Sequence, residues 1–182
     1  MILLINICKE NLHYYEFVKQ IEDILKNKNI EFKTIYYKQI NKDLIEKSEK
    51  IIICGTSLKD NEFLKNMNYF QWIKSYNKPL FSICGGMHIL GLLFKGKLKK
   101  QKEIGLKNIK FEKEFLGLNG IIPVYELHNF YVQSKEFDLY AKSDNCPQAI
   151  KHKSKPFYGV LFHPEVRTKN LILNFATLIF MQ

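Results

Sequence analysis

Short apolar runs alternate with helix-periodic segments along the first half of the chain. The runs at residues 1–7 (MILLINI), 32–37, 50–54 and 80–83 predict buried strands. Between them, apolar positions recur every three or four residues, which predicts a helix capped by Asn11 and helices over residues 43–47, 61–76 and 85–94. Because such alternation builds right-handed βαβ units, this half predicts a parallel sheet with helices on both faces.

The pattern changes after Lys95. Short strands are predicted at residues 104–111, 121–127, 137–142, 148–152 and 158–162, and a mostly buried helix is predicted at residues 168–181. No internal repeat and no Pro/Gly/Ser-rich linker divides the sequence. We therefore expect one domain, residues 1–182, of the α/β class, with an open, mostly parallel central sheet flanked by helices and a small antiparallel extension.

Composition and charge indicate a folded chain and reduce the classes of partner that we expect for it. Apolar residues make up 46% of the 182, and no apolar run approaches the roughly 20 residues that span a bilayer. The formal net charge is +10, but every basic side chain except Arg167 is Lys. Base readout relies on bidentate Arg, so we expect no nucleic-acid partner. We also expect a cytoplasmic protein without membrane contact.

The Lys-rich run at residues 95–102 (KGKLKKQK) is the densest concentration of positive charge. Such a run is typical of a solvated loop. The alternative interpretation is a surface that docks on an acidic face of a partner.

The four cysteines include no C-x-x-C pair, and no His/Cys cluster shows the spacing of a zinc site. We therefore expect no metal, no cofactor and no disulfide framework. We predict that Cys8 and Cys54 are core residues, that Cys146 lies in a turn without a role, that His13 is at the surface, and that His152 is structural.

A nucleophile elbow is indicated at residues 82–86 (SICGG), where a predicted strand runs directly into a predicted helix. Small neighbours suit the tight, strained turn that would aim the Cys84 side chain into a crevice. The helix N-terminus that follows favours a thiolate. The competing interpretation is a core cysteine in a glycine turn.

A partner for this thiol is predicted at residues 159–165 (GVLFHPE), which end a strand. His163 would lie at the same carboxyl edge of the sheet as Cys84. Pro164 stops the strand, and Glu165 is placed to accept the other imidazole N–H. Nucleophile, base and orienting acid form the arrangement of a catalytic triad.

These two blocks resemble the class I (triad) glutamine amidotransferases, through residues 83–87 (ICGGM) and 162–165 (FHPE). Residues 141–160 are similar to the separate amidotransferase subunit of archaeal-type GMP synthase. The resemblance implies a flavodoxin-like fold, hydrolysis of glutamine without a cofactor, and transfer of the ammonia to a synthetase partner. The site residues it implies are catalytic Cys84, His163 and Glu165, the oxyanion-hole residues Gly55, Thr56 and Gly85, and the substrate-binding residues His88 and His128.

The sequence departs from the family pattern around this triad. His88 replaces a substrate-contacting Gln, Leu127 replaces a Ser, and the oxyanion turn has Thr56 after Gly55. Two alternatives therefore stay open. The chain could hydrolyse another γ-glutamyl amide without an ammonia acceptor, or it could be a non-catalytic relative that acts as a binding module.

Overall fold

Nine strands form one mixed sheet in the computed structural model, which describes residues 1–179. The strand order is β2-β1-β3-β4-β9-β8-β7-β5-β6. The strands are β1 Ile2–Asn6, β2 Phe32–Tyr36, β3 Lys50–Ile53, β4 Leu80–Ile83, β5 Lys97–Phe115, β6 Leu118–Gln133, β7 Phe137–Lys142, β8 Pro147–His152 and β9 Phe157–Val160.

The first five strands of that order are parallel, and the remaining four join antiparallel to β9 and to one another. Strands β4 and β9 are buried along their whole length, as is typical of a parallel sheet covered on both faces. The predicted α/β fold class, with a parallel sheet flanked by helices, is confirmed.

The α-helices are α1 Asn11–His13, α2 Lys19–Lys26, α3 Lys42–Lys47, α4 Gly85–Leu93 and α5 Lys169–Thr177, and a π-helical turn, Tyr14–Val18, joins α1 to α2. The prediction that Asn11 caps the first helix is wrong, because the cap position belongs to Glu10 and Asn11 is already helical. Asn41 does cap α3, since its Oδ1 accepts the Leu44 N–H at 3.0 Å.

The helix predicted at residues 61–76 is a 3-10 segment, Glu62–Lys74, interrupted at Asn66. Asn66 has non-helical backbone angles (φ −119°, ψ 32°), and its Nδ2 donates to the Glu62 carbonyl at 2.9 Å. An Asn side chain that bonds nearby backbone competes with the helical ladder, which explains the break.

The antiparallel part is larger than predicted. Strands β5 and β6 form a long hairpin, and β5 begins at Lys97, so the Lys-rich run is mostly strand rather than a solvated loop. The lysines at 97, 99, 100 and 102 are exposed on it. A strand with polar side chains on both faces lacks the apolar alternation that identifies strands in a sequence.

The last helix, α5, ends at Thr177, four residues earlier than predicted, and Ile179 is 87% exposed rather than buried. The rest of the predicted helix, residues 180–181, lies outside the described residues. Among residues 1–179, no helix combines the length and the apolar content needed to cross a membrane.

Candidate active site

The elbow around Cys84 has the geometry that the small-residue pattern predicts. Strand β4 ends at Ile83, helix α4 begins at Gly85, and Cys84 between them has φ 47° and ψ −103°. A positive φ is rare and strained for a residue with a Cβ, and such strain concentrates at functional sites. A Cβ on Gly86 would lie 2.6 Å from the Ile53 carbonyl oxygen, so the turn has room only for glycine there.

His163 and Glu165 form a buried pair just beyond β9. The His163 Nδ1 lies 2.6 Å from the Glu165 Oε1, and both side chains are fully buried. The His163 backbone N–H donates to the Tyr125 carbonyl at 2.9 Å, which fixes this segment against β6. With Nδ1 engaged by the carboxylate, Nε2 remains for another group, and it has no hydrogen-bond partner within residues 1–179.

The ionisation of His163 is set by its neighbours. Burial disfavours the imidazolium, but the charges of Glu165 and Cys84, with the hydrogen bond to Glu165, outweigh burial and raise the pKa of His163 well above its usual value. The parallel pairing of Ile83 with Val160 brings the two strand ends together.

The imidazole is held from two sides. The Phe17 ring packs with its centroid 4.9 Å from that of His163, and a Cβ on Gly55 would lie 2.7 Å from the His163 Cε1. A side chain at position 55 would collide with the His163 ring, so this position requires glycine. Gly55 also belongs to the proposed oxyanion turn.

The Gly55–Thr56 turn follows β3, at the same edge of the sheet as Cys84. The Thr56 Oγ1 donates to the Asp60 Oδ2 at 2.9 Å, and the Lys9 N–H donates to the same oxygen at 2.7 Å. His13 Nδ1 lies 3.1 Å from it, so His13 is half-buried rather than a free surface residue. Asp60 thus holds the turn in place. Sequence reasoning missed it because two of its partners, Lys9 and His13, lie about fifty residues away in the chain.

A small cavity lies between the elbow, the Gly55–Thr56 turn and the β6 strand. Thr56, Cys84, Gly85 and His88 line one side, and residues 127–130 line the other. Its volume is about 10 Å³, enough for one water molecule at most. A substrate therefore requires the two sides to separate. This separation would break the hydrogen bond in which the Asn129 Nδ2 donates to the Leu58 carbonyl at 3.1 Å, because the bond connects the two sides of the cavity.

The two predicted substrate-binding histidines are both buried. The His88 Nε2 donates to the Phe130 carbonyl at 2.9 Å, and burial lowers the pKa of His88 to about 4, so this ring is neutral at physiological pH. His128 directs Nδ1 to the Gln101 carbonyl and Nε2 to Glu103 and Glu126. Contact of either ring with a substrate stays a prediction.

The other predicted structural residues agree with expectation. Cys8 and Cys54 belong to the core, and burial raises the pKa of the Cys8 thiol to about 12. His152 Nδ1 accepts the backbone N–H groups of Ser154 and Lys155, which shapes the turn before β9.

Comparison with known proteins decides the family. The family described as glutamine amidotransferase class-I matches residues 12–176. This chain belongs to the class I glutamine amidotransferases. The family resemblance and the enzyme class predicted from the elbow and the FHPE block, a class I glutamine amidotransferase-type hydrolase, are confirmed.

Curated relatives of this amidotransferase include a subunit of glutamine-hydrolyzing GMP synthase from Picrophilus torridus. It is 30% identical over 142 residues, which are 73% of this chain and 76% of the relative. The protein of the same name from Pyrococcus furiosus is 35% identical over 115 residues, 57% of this chain and 61% of the relative. The chain therefore spans about three fifths of the second relative's length.

Solved structures show the same fold. The crystal structure of a putative GMP synthase subunit from Thermoplasma acidophilum superposes with a TM-score of 0.84 at 23% identity, over 96% of this chain and 91% of that chain. A glutamine amidotransferase from Thermotoga maritima gives a TM-score of 0.72 at 20% identity, over 93% of this chain and 77% of that chain. At these identities the likeness shows the fold of this amidotransferase.

Proposed function

We propose that this amidotransferase hydrolyses glutamine to glutamate and ammonia through Cys84, His163 and Glu165. The observation that carries the proposal is the buried His163–Glu165 pair, 2.6 Å apart, at the strand end beside the Cys84 elbow. Cys84, His163 and Glu165 thus correspond to the nucleophile, the base and the orienting acid of a catalytic triad.

The chemistry begins with attack of the Cys84 sulfur on the carboxamide carbon of glutamine. Because the pKa of His163 is raised, its Nε2 already holds the proton of the Cys84 thiol and passes it to the departing nitrogen, so ammonia leaves and a γ-glutamyl thioester remains. His163 next takes a proton from water, the hydroxide attacks the thioester, and the proton stays on the imidazole as glutamate leaves. Glu165 keeps Nδ1 protonated and stabilises the imidazolium in each step.

The oxyanion of each tetrahedral intermediate would be met by two backbone N–H groups, from Gly85 and from the Gly55–Thr56 turn. Gly85 and Thr56 line the cavity next to Cys84, and Gly55 precedes Thr56 in the chain. Losing one such donor typically costs about 3–4 kcal/mol of transition-state stabilisation. The Asp60 contacts that hold the turn would therefore affect catalysis without touching the substrate.

The ammonia passes to a synthetase partner in this proposal, and the partner is a GMP-forming one that acts on an adenylated XMP intermediate. The support is the name of the relatives, which are subunits of a glutamine-hydrolyzing GMP synthase. The exposed lysines of β5 offer a surface for an acidic face of such a partner.

Ammonia release from glutamine tests the hydrolase, with and without the synthetase subunit. Cys84→Ala should abolish release, while Cys54→Ala, which removes the same atom from another buried cysteine, should retain it. Equal rates for wild type and Cys84→Ala would remove the proposed nucleophile. Glutamine-dependent conversion of XMP to GMP in the mixed subunits tests the partner.

The second candidate is a hydrolase of another γ-glutamyl amide, favoured by His88 where the family places Gln and by Leu127 where it places Ser. Both residues line the cavity. Under this hypothesis the wild-type chain releases no ammonia from glutamine in either condition, but it cleaves γ-glutamyl anilides in a Cys84-dependent way.

A further inference from the structure

We propose that Glu103, His128 and Cys146, with the Glu126 carboxylate beside His128, form a binding site for one zinc-class divalent cation near the candidate active site. The ligand atoms of the first three residues all lie within 4.8 Å of one another, and all three residues are buried. They come from β5, from β6 and from the turn between β7 and β8, so the site would join three segments of the antiparallel region.

Three separations within the cluster fit a tetrahedral site. His128 Nε2 lies 3.3 Å from Glu103 Oε2 and 3.2 Å from Glu126 Oε2. Cys146 Sγ lies 3.4 Å from Glu103 Oε2. Ligands bound at about 2.0 Å through nitrogen or oxygen and about 2.3 Å through sulfur stand roughly 3.3–3.6 Å apart around a tetrahedral ion.

Unpartnered buried groups point into the cluster. Glu126 is fully buried, and neither of its carboxylate oxygens has a hydrogen-bond partner among the described residues. His128 Nε2 is likewise without a partner in that part of the chain, although two carboxylates lie beside it. A buried carboxylate without donors is costly, and a bound cation would remove that cost.

The orientation of His128 also fits a ligand. Its Nδ1 lies 3.2 Å from the Gln101 carbonyl, so Nδ1–H donates and the Nε2 lone pair faces Glu103 and Glu126. The contacts of His128 Nε2 with the Glu103 and Glu126 carboxylates do not have hydrogen-bond geometry. The two carboxylate oxygens therefore lie away from the direction in which an Nε2–H bond would point. Metal-ligating histidines commonly donate their other N–H to a backbone carbonyl in this way.

The surrounding contacts would complete the site. Glu103 Oε1 accepts from Lys107 Nζ at 2.8 Å, and Oε2 accepts from Gln148 Nε2 at 2.8 Å. Binding releases the Cys146 thiol proton to solvent. The two carboxylates and the thiolate then balance the divalent ion and the Lys107 ammonium. Soft sulfur with imidazole and carboxylate favours zinc over magnesium or calcium.

Spacing along the sequence could not show this cluster, because the ligands are separated by a long hairpin and a turn. The proposed ion would also affect the candidate active site, because β6 contributes to both. Leu127, between two of the proposed ligands, places its carbonyl 3.7 Å from Cys84 Sγ. A bound ion would fix the β6 strand that lines the cavity.

The test starts with the full chain stripped by a chelator, dialysed and supplied with zinc chloride. We expect about one zinc per chain after gel filtration, measured by elemental analysis, and a rise in Tm of about 5–10 °C at a hundredfold excess over Kd. With cobalt(II) chloride we expect a sulfur-to-cobalt charge-transfer band and the intense visible bands of tetrahedral cobalt.

Cys146→Ala should lose the charge-transfer band and weaken zinc binding at least about 100-fold, while the matched control Cys54→Ala should keep both. Glu126→Gln is the milder variant if Cys146→Ala does not fold, and it should also weaken binding. No retained zinc in the wild-type chain, or equal zinc and cobalt signals in wild type and Cys146→Ala, would overturn the proposal.

Discussion

At the scale of single residues, the contact between His163 and Glu165 governs the chemistry that we propose. The carboxylate fixes which ring nitrogen carries the proton and stabilises the charge that the imidazole acquires. The sequence predicted this pair because both members stand next to the strand that positions them. Asp60 was not predictable, because groups that it binds belong to other segments.

Replacing Glu165 by Gln should lower kcat/KM for glutamine by about 10²–10⁴-fold, since an amide can present the wrong hydrogen-bonding group to Nδ1. Steady-state ammonia release measures the effect. Glu112→Gln, at an exposed carboxylate on β5, is the control and should match wild type. A Glu165→Gln variant with wild-type kinetics would contradict the orienting role.

The raised pKa of His163 also makes stability depend on pH. The imidazolium is favoured in the folded chain, so its stabilisation is complete below the unfolded value, about 6.5, and is lost as the pH rises through the folded pKa. Wild type should lose up to about 1.4 kcal/mol of unfolding free energy per pH unit in that window.

Glu165→Gln should flatten that slope, because it removes the larger of the charges that raise the pKa of His163. Urea unfolding at a series of pH values above 6 measures both proteins. Parallel curves for wild type and variant would show that the carboxylate does not set the ionisation of His163.

At the scale of elements, the β5–β6 hairpin closes the candidate active site. Its residues 127–130 face the elbow across a cavity that holds about one water molecule (about 10 Å³). The parallel strands were predictable from their continuous apolar runs. The hairpin was underestimated because the lysines at its start are exposed and leave no apolar face to detect.

Asn129→Ala should loosen this closure, because it removes the hydrogen bond to the Leu58 carbonyl that connects the hairpin to the segment after the Gly55–Thr56 turn. We expect a cost of about 0.5–1.5 kcal/mol in stability and faster alkylation of Cys84 by iodoacetamide, followed by peptide mass mapping. Asn66→Ala removes a local bond in the 3-10 segment and is the control. An unchanged alkylation rate in Asn129→Ala would show that this bond does not close the site.

At the scale of the whole molecule, the net charge of +10 favours association with an acidic partner. Reversing the charge of Lys97 and Lys99 on β5 should weaken binding to the proposed synthetase partner by about tenfold at low salt, with a smaller effect at high salt. Titration calorimetry at two salt concentrations measures this. Reversal of Lys26 and Lys28, which are exposed near the end of α2, is the matched control. Equal losses for both pairs would indicate a nonspecific effect of charge.

The position of β9 in the sheet has a consequence for synthesis of the protein. It pairs with β4 on one side and β8 on the other, so it joins the parallel and antiparallel halves. Yet, of these nine strands, it is the last to leave the ribosome. Until Val160 has emerged, the nascent polypeptide exposes the unpaired edge of β4, a template for intermolecular pairing. Premature termination upstream of residue 157 should therefore yield insoluble fragments that lack His163.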